Sequence, residues 1–186
     1  MIEWSMSALD FFKDYHKKNN DLIDNFSVFP SNFLSLVRKD GAMDLYHGVL
    51  RAVDPEGKKI LNDIDYQDYL QYIDEEVRSW SYMKFPYLKE YGKKDGWYTV
   101  GPLARLNTAE FIPSPLAQKE FEEYRKAFGR PAQLTLLYNW ARLIELLYNA
   151  EYAIQLLNDP EITSKDIRIP VKPRAARGVG CIEAPR

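Results

Sequence analysis

The stretch AQLTLLYNWARLIELLYNAEYAIQLL, Ala132–Leu157, keeps apolar side chains at helical spacing for 26 residues, roughly 39 Å of helix at 1.5 Å per residue. Leu134, Leu137, Tyr138, Ala141, Ile144, Tyr148 and Ile154 lie on one side, and Leu136, Trp140, Leu143 and Leu147 widen the apolar arc beyond a surface stripe. A helix of this kind is buried on more than one side. Either it runs through the centre of the domain, or part of it faces protein outside this sequence. Asp159-Pro160 stops it, because proline can neither donate the next helical hydrogen bond nor fit against the preceding turn. Just upstream, Ser114-Pro115 places a cap and then proline at the first helical position, Leu116 to Phe128 continues the helix, and Gly129 stands at its C′ position.

Working toward the N-terminus, Ile2, Met6, Leu9, Phe12 and His16 fall at helical spacing and predict an amphipathic helix ending near Asn19-Asn20. Asn25 to Val37 reads as an aromatic-rich turn around Pro30-Ser31-Asn32 leading into a short apolar strand. Ala42 to Tyr46 and Val49 to Val53 read as strands paired across His47-Gly48, and Asp54-Pro55-Glu56-Gly57 as a second turn. Asp65 is placed to cap a helix whose face is Tyr66, Tyr69, Leu70, Ile73, Val77 and Trp80. Ser81 to Lys94 and Trp97 to Glu110 read as loops. The expected class is α+β and predominantly helical, a small antiparallel meander with one long buried helix. We expect one domain over 1–186, with a meander lobe at 26–64 and a helical body with loops at 65–186.

Composition excludes several functions. A net charge of -2 offers no broad basic field for a phosphate backbone, so nucleic acid is not an expected partner. No segment reaches the roughly 18 uninterrupted apolar residues of a membrane span. One cysteine rules out an internal disulfide, and with no secretory-type leader the expected compartment is the cytoplasm. His16 and His47 lack companions at ligand spacing, so no metal site is expected from this chain alone. Aromatics make up 14% of the residues, 13 of them Tyr, which predicts large half-buried plates with polar tips.

The residues able to carry chemistry are few. Gly178-Val179-Gly180-Cys181-Ile182-Glu183-Ala184-Pro185-Arg186 sets two glycines and a rigid proline before a terminal guanidinium, a device for aiming one cation at a polar or anionic group. Taken by themselves, these nine residues read first as an ordinary C-terminal tail. Val100 to Asn107 reads as a Gly-Pro turn whose Arg105 pairs with a carboxylate. Lys165, Arg168, Lys172, Arg174 and Arg177 read as a solvated charge run, or as a surface for an acidic partner. Glu145, Glu151 and Asp74-Glu75-Glu76 read as solvated helix-surface carboxylates. Cys181, with no histidine beside it, reads as a small buried side chain rather than a nucleophile.

Phe29–Val37, Ser81–Lys89, Val100–Asn107, Ala141–Glu145 and Gly178–Arg186, taken in order, resemble the nickel–iron hydrogenase large subunit, and within it the cytoplasmic branch linked to soluble electron carriers. The resemblance implies the large-subunit fold and reversible oxidation of hydrogen to protons and electrons. It also implies a nickel–iron centre with diatomic ligands held by two cysteine pairs, and two kinds of partner, an iron–sulfur small subunit together with subunits that reduce the carrier. Neither cysteine pair is in this sequence, so the chain is expected to be an inactive central fragment that binds no nickel and self-associates. Arg186 matches the family's Glu-Ala-Pro-Arg arginine, which the resemblance sets beside the iron's diatomic ligands and the open position where hydrogen reacts, in a supporting catalytic role of hydrogen bonding, electrostatic support and proton handling; Pro185 would wall the same pocket. Two alternatives stay open: a non-catalytic relative such as the quinone-side scaffold subunit of respiratory complex I, and a free-standing interaction module.

Overall fold

The strands Asn32–Val37 and Val49–Val53 alternate their apolar side chains between two layers, and this places these strands in the middle of the molecule. The computed structural model describes residues 1–183. The chain opens with α1 (Ile2–Lys18) and α2 (Asn20–Asn25), then builds β1 (Asn32–Val37), β2 (Val49–Val53) and β3 (Lys59–Ile64). There follow α3 (Tyr69–Tyr72), β4 (Ile73–Val77), β5 (Lys84–Leu88), α4 (Gly92–Asp95), β6 (Tyr98–Thr99), α5 (Pro102–Thr108), α6 (Pro115–Phe128) and α7 (Leu137–Leu157). The class is α+β. One sheet has the order β3-β2-β1-β6, and β4 and β5 form a separate ribbon.

β1 is buried along its whole length. Phe33 faces a helical layer made by α1, α5, α6 and α7 and shares one core with Leu9, Leu103, Leu106, Phe121, Leu137 and Ile144. Leu34 and Leu36 face the other way, onto Leu50, Ala52, Leu61 and Leu88. The two-residue period of a strand produces this division. β2 runs antiparallel to β1, with Phe33 opposite Val53 and Val37 opposite Val49. β6 is parallel to β1 and reaches only Asn32 and Phe33.

The expected pairing of Ala42–Tyr46 with Val49–Val53 does not occur. The Asp44 carboxylate accepts the N–H groups of Tyr46 and His47, and this local turn removes those amides from any ladder. Ala42 and Met43 make only isolated bridges, to Phe111 and Val37, and β2 pairs with β1 and β3 instead. The turn at 54–57 is present: Gly57, at φ +85°, lets the chain reverse between β2 and β3.

Nor does the helix expected from Asp65 to Trp80 form. Asp65 does cap a turn, accepting from Gln67 N, but the helix ends at Tyr72, and Ile73–Val77 pair with Lys84–Leu88. Ile73 and Val77 sit four apart, a spacing that also satisfies strand alternation, and β-branched residues favour the strand when a partner is available. The segments read as loops hold β5, α4, β6 and α5.

α6 begins and ends as the sequence indicates, at Pro115 and before Gly129 at φ +76°. The Ser114 hydroxyl does not cap it. It donates instead to Glu151 of α7, whose carboxylate also accepts the Leu116 and Ala117 N–H groups and so occupies the capping position from another helix. α7 starts at Leu137, five residues later than expected. The Asn107 side chain holds Ala132 through both its N–H and its C=O, which keeps that segment out of the helix.

Candidate functional site

α5 is the element around which the polar interior is organised. Gly101 precedes it at φ 88° and ψ -161°, a region open essentially to glycine alone, and Pro102 occupies the first helical position. The Tyr138 hydroxyl fills the space beside Gly101 and donates to Val100 O at 3.1 Å. All seven residues of α5 are buried. The exposed C-terminal carbonyls of so short a helix need partners, and three arginines supply them. Arg51 donates to Thr108 O, Arg130 to Asn107 O and Thr108 O, and Arg125 to Leu106 O, Ala109 O and Glu110 O. Cations at a helix C-terminus also complement its dipole. Burial, with repulsion from Arg130, lowers the Arg125 guanidinium to about 10. Asp63 in turn holds Arg51 by two hydrogen bonds.

Held at both ends, α5 presents Arg105 to the interior. Arg105 is 2% exposed. Its Nε and Nη2 bind the two oxygens of Glu145 on α7 at 2.5 and 2.7 Å, a fork-to-fork pairing, and its Nη1 binds Glu183 Oε2 at 2.6 Å. The other Glu183 oxygen accepts Leu36 N at 2.5 Å, and Glu183 N donates to Leu45 O. Two carboxylates thus share one guanidinium in a nearly dry site. Burial pushes the Glu145 carboxyl up against the pull of Arg105, and the charge of Glu183 adds to the rise. Burial works against the Arg105 charge, yet its two carboxylates raise it overall. Both shifts follow from one cation serving two anions.

The sequence reading anticipated the pairing of Arg105 with a carboxylate. It placed Glu145 and Glu151 on a solvated surface, and this is corrected: Glu145 is 7% exposed, and Glu151 caps α6. Asp74–Glu76 lie on β4 rather than a helix; Asp74 and Glu75 are exposed, while the Glu76 side chain is mostly covered and pairs with Arg78. Cys181 is half-buried against the layer of Leu34, Leu36 and Leu50, and burial, followed by the charge of Glu183, raises its thiol. Gly178 and Gly180 adopt no positive φ, and a Cβ at either would meet nothing within 4 Å. Lys165 to Arg177 are exposed. Pro185 and Arg186, the residues expected to form the site, lie outside the described residues.

Among the described residues, no group of three or more His, Cys, Asp or Glu is placed to hold a metal, and no helix is long and apolar enough to cross a membrane. The donors present fit neither a nickel–iron centre nor an iron–sulfur cluster. Either group takes several thiolates; the single thiol is half-buried, and Glu145 and Glu183 are both bound to Arg105.

A buried charge cluster thus lies between the α-helical layer and the mixed sheet of an α+β scaffold. Over its whole length the chain is 42% identical to the NAD-reducing hydrogenase HoxS subunit beta of Cupriavidus necator, of which it covers 38%. It is also 42% identical to the vhu-type F420-non-reducing hydrogenase polypeptide of Methanococcus voltae, covering 44%. A solved chain described as the NAD+-reducing [NiFe]-hydrogenase in the H2-reduced state superposes with a TM-score of 0.92 at 38% identity, over 99% of this chain and 41% of that one. No family model matches. The chain spans about two fifths of the length of these relatives.

These likenesses are to hydrogenase subunits, oxidoreductases acting on hydrogen, and they correct the finer expectation. The HoxS relative is named a beta subunit, a further relative from Archaeoglobus profundus is named an iron–sulfur subunit, and none of those compared carries the name of a nickel–iron large subunit. The assignment as a central fragment of that subunit, its large-subunit fold and its nickel–iron centre are therefore withdrawn. The complex I scaffold and the free-standing interaction module find no better support, since the relatives compared are hydrogenase subunits throughout.

Proposed function

We propose that this chain works within a hydrogenase assembly as part of a subunit of the HoxS-beta type, associating with other hydrogenase subunits, and that its own contribution is a rigid, charge-locked support rather than a redox group. The whole-length likeness to hydrogenase subunits supports the assembly. The observation that carries the role is Arg105, which joins α5, α7 and the C-terminal segment through three short ion-paired hydrogen bonds. Groups preorganised in this way lose no free energy to reorganisation when charge moves nearby. Arg186, a permanently charged fork of donors, is the residue we assign to face a polar or anionic group supplied by the rest of the assembly, with Pro185 stiffening its approach. The chain holds and orients; electrons pass through groups bound elsewhere.

The test is to co-express the chain with the products of its neighbouring genes and isolate the complex through a tag on this polypeptide. Hydrogen-dependent reduction of benzyl viologen is expected, with at least a ten-fold loss in Arg186→Ala at unchanged subunit composition. An intact complex with no hydrogen-dependent dye reduction would overturn the assignment.

A further inference from the structure

From Ser164 to Gly178 the chain is exposed, and among the described residues the one polar tie of 165–178 to the body is a long contact from Arg177 to Gln67 O at 3.4 Å. No helix or strand of the described residues includes 164–183. Ile167, Ile169 and Val171 are each more than four fifths exposed, so apolar burial does not fasten the segment either. Val179 and Cys181 rest against the sheet, but polar anchorage begins only at Glu183, which makes three hydrogen bonds to three different parts of the body: Arg105 on α5, Leu36 N on β1 and Leu45 O in the following loop.

Stability alone does not account for Glu183. Arg105 and Glu145 already form a complete bidentate pair, and a second buried carboxylate adds a desolvation cost that a single guanidinium only partly offsets. The Leu36 N–H has no strand neighbour, since β6 pairs only with Asn32 and Phe33. The Glu183 side chain occupies the place where a longer β6 would have lain. A buried anion that is superfluous for charge balance yet satisfies a sheet amide and a helix arginine together is an anchor for the chain that carries it.

We propose that Glu183 is a positioning residue: its carboxylate, gripped by Arg105 and the Leu36 amide, fixes where the loosely held segment 164–182 meets the body, and so fixes the point in the chain from which Ala184-Pro185-Arg186 follow. The proposal rests on the reading above only for what the presented arginine is for; the anchoring itself stands on the geometry of the described residues. Glu145 acts one step behind, keeping the Arg105 fork turned toward the segment.

Cys181, the chain's single thiol, lies two residues from the anchor and reports on it. Its reaction with a disulfide reagent such as 5,5′-dithiobis(2-nitrobenzoate) is measured in the full chain for wild type, Glu183→Ala and Glu183→Gln, alongside amide exchange of α5 and α7. Loss of the charged hydrogen bonds in Glu183→Ala is expected to speed thiol reaction roughly ten- to a hundred-fold, with exchange in α5 and α7 unchanged. Glu183→Gln removes the same charge but keeps an acceptor, and is expected to restore at least half of the protection on a logarithmic scale. Equal rates for Ala and Gln would mean that only the thiol's electrostatics had changed, and would overturn the proposal. So would an unchanged rate in Glu183→Ala, or a rise matched by equal loss of protection throughout α5 and α7. Because hydrogen turnover is not the readout, failure here leaves the proposed function standing, and failure of dye reduction leaves this anchor standing.

Discussion

Replacing Arg105 with methionine keeps most of the side-chain volume and removes the only cation among Arg105, Glu145 and Glu183. The side chains of Glu145 and Glu183 are each 9% exposed, so neither can recover its hydration without opening the structure. Breaking a buried pair by removing one partner costs about 3–5 kcal/mol. For a domain of this size, that corresponds to a fall in Tm of roughly 6–20 °C. The loss depends on pH in a direction set by Glu145. Burial already raises its carboxyl above the ordinary value of 4.5, and without Arg105 it rises further. A carboxyl raised in the folded state contributes stability below its unfolded pKa and loses it as the pH climbs through the folded value. The deficit of Arg105→Met relative to wild type is therefore larger at about pH 7 than at about pH 5, since acid favours the neutral form of the carboxyl that burial raises. Urea unfolding of both proteins at these two pH values measures it. In Arg105→Met/Glu145→Leu/Glu183→Gln, which leaves no unpaired charge in the buried cluster, most of the loss should return. A deficit below about 1 kcal/mol at neutral pH, or one identical at both pH values, would refute the account of a charge lock.

Other changes probe the parts that hold this lock in place. Gly101→Ala forces a Cβ against the Tyr138 hydroxyl at a positive φ and should cost about 1–3 kcal/mol, seen as a lower urea midpoint with an unchanged slope; a neutral effect would show that the turn does not seat α5. Glu151→Ala uncaps α6 from across the interface and should cost about 1–2 kcal/mol, with faster amide exchange confined to the first turn of α6; uniform exchange changes would contradict it. The Arg51 guanidinium beside Asp63 holds the Asp63 carboxyl below its ordinary 3.8. That stability is present above the unfolded pKa and is lost as pH falls through the lower folded one, so Asp63→Asn should flatten the acid limb of a thermal-melt series below about pH 4; a limb as steep as that of wild type would count against the pairing.

Local rules were enough where an element's ends and its burial are set within its own residues. Ser114-Pro115 and Gly129 marked α6, the Ile2–His16 spacing marked α1, and the turn at 54–57 followed from proline and glycine at their required positions. The breadth of the apolar arc on α7 likewise announced a helix covered by α1, α5 and α6. Even the likeness to hydrogenase subunits was legible, since the segments that carry it are short and ordered along the chain; which subunit was beyond them.

What only the tertiary structure decided was every choice between partners far apart in sequence. Ile73–Val77 has a spacing compatible with helix or strand, and pairing with Lys84–Leu88 settles it. Ala132–Leu136 has helical spacing, and the Asn107 side chain, 25 residues from Ala132, binds both backbone groups of Ala132 and keeps the helix from starting there. α5 was hidden in a stretch read as loop, although Gly101-Pro102 was the local signal for its start; seven residues cannot sustain a helix alone, and three distant arginines stabilise its carbonyls. Glu145 and Glu183 look like any solvated carboxylates in the sequence. A side chain's charge is written in the chain, but its desolvation, and hence its role, depends on what the fold brings against it.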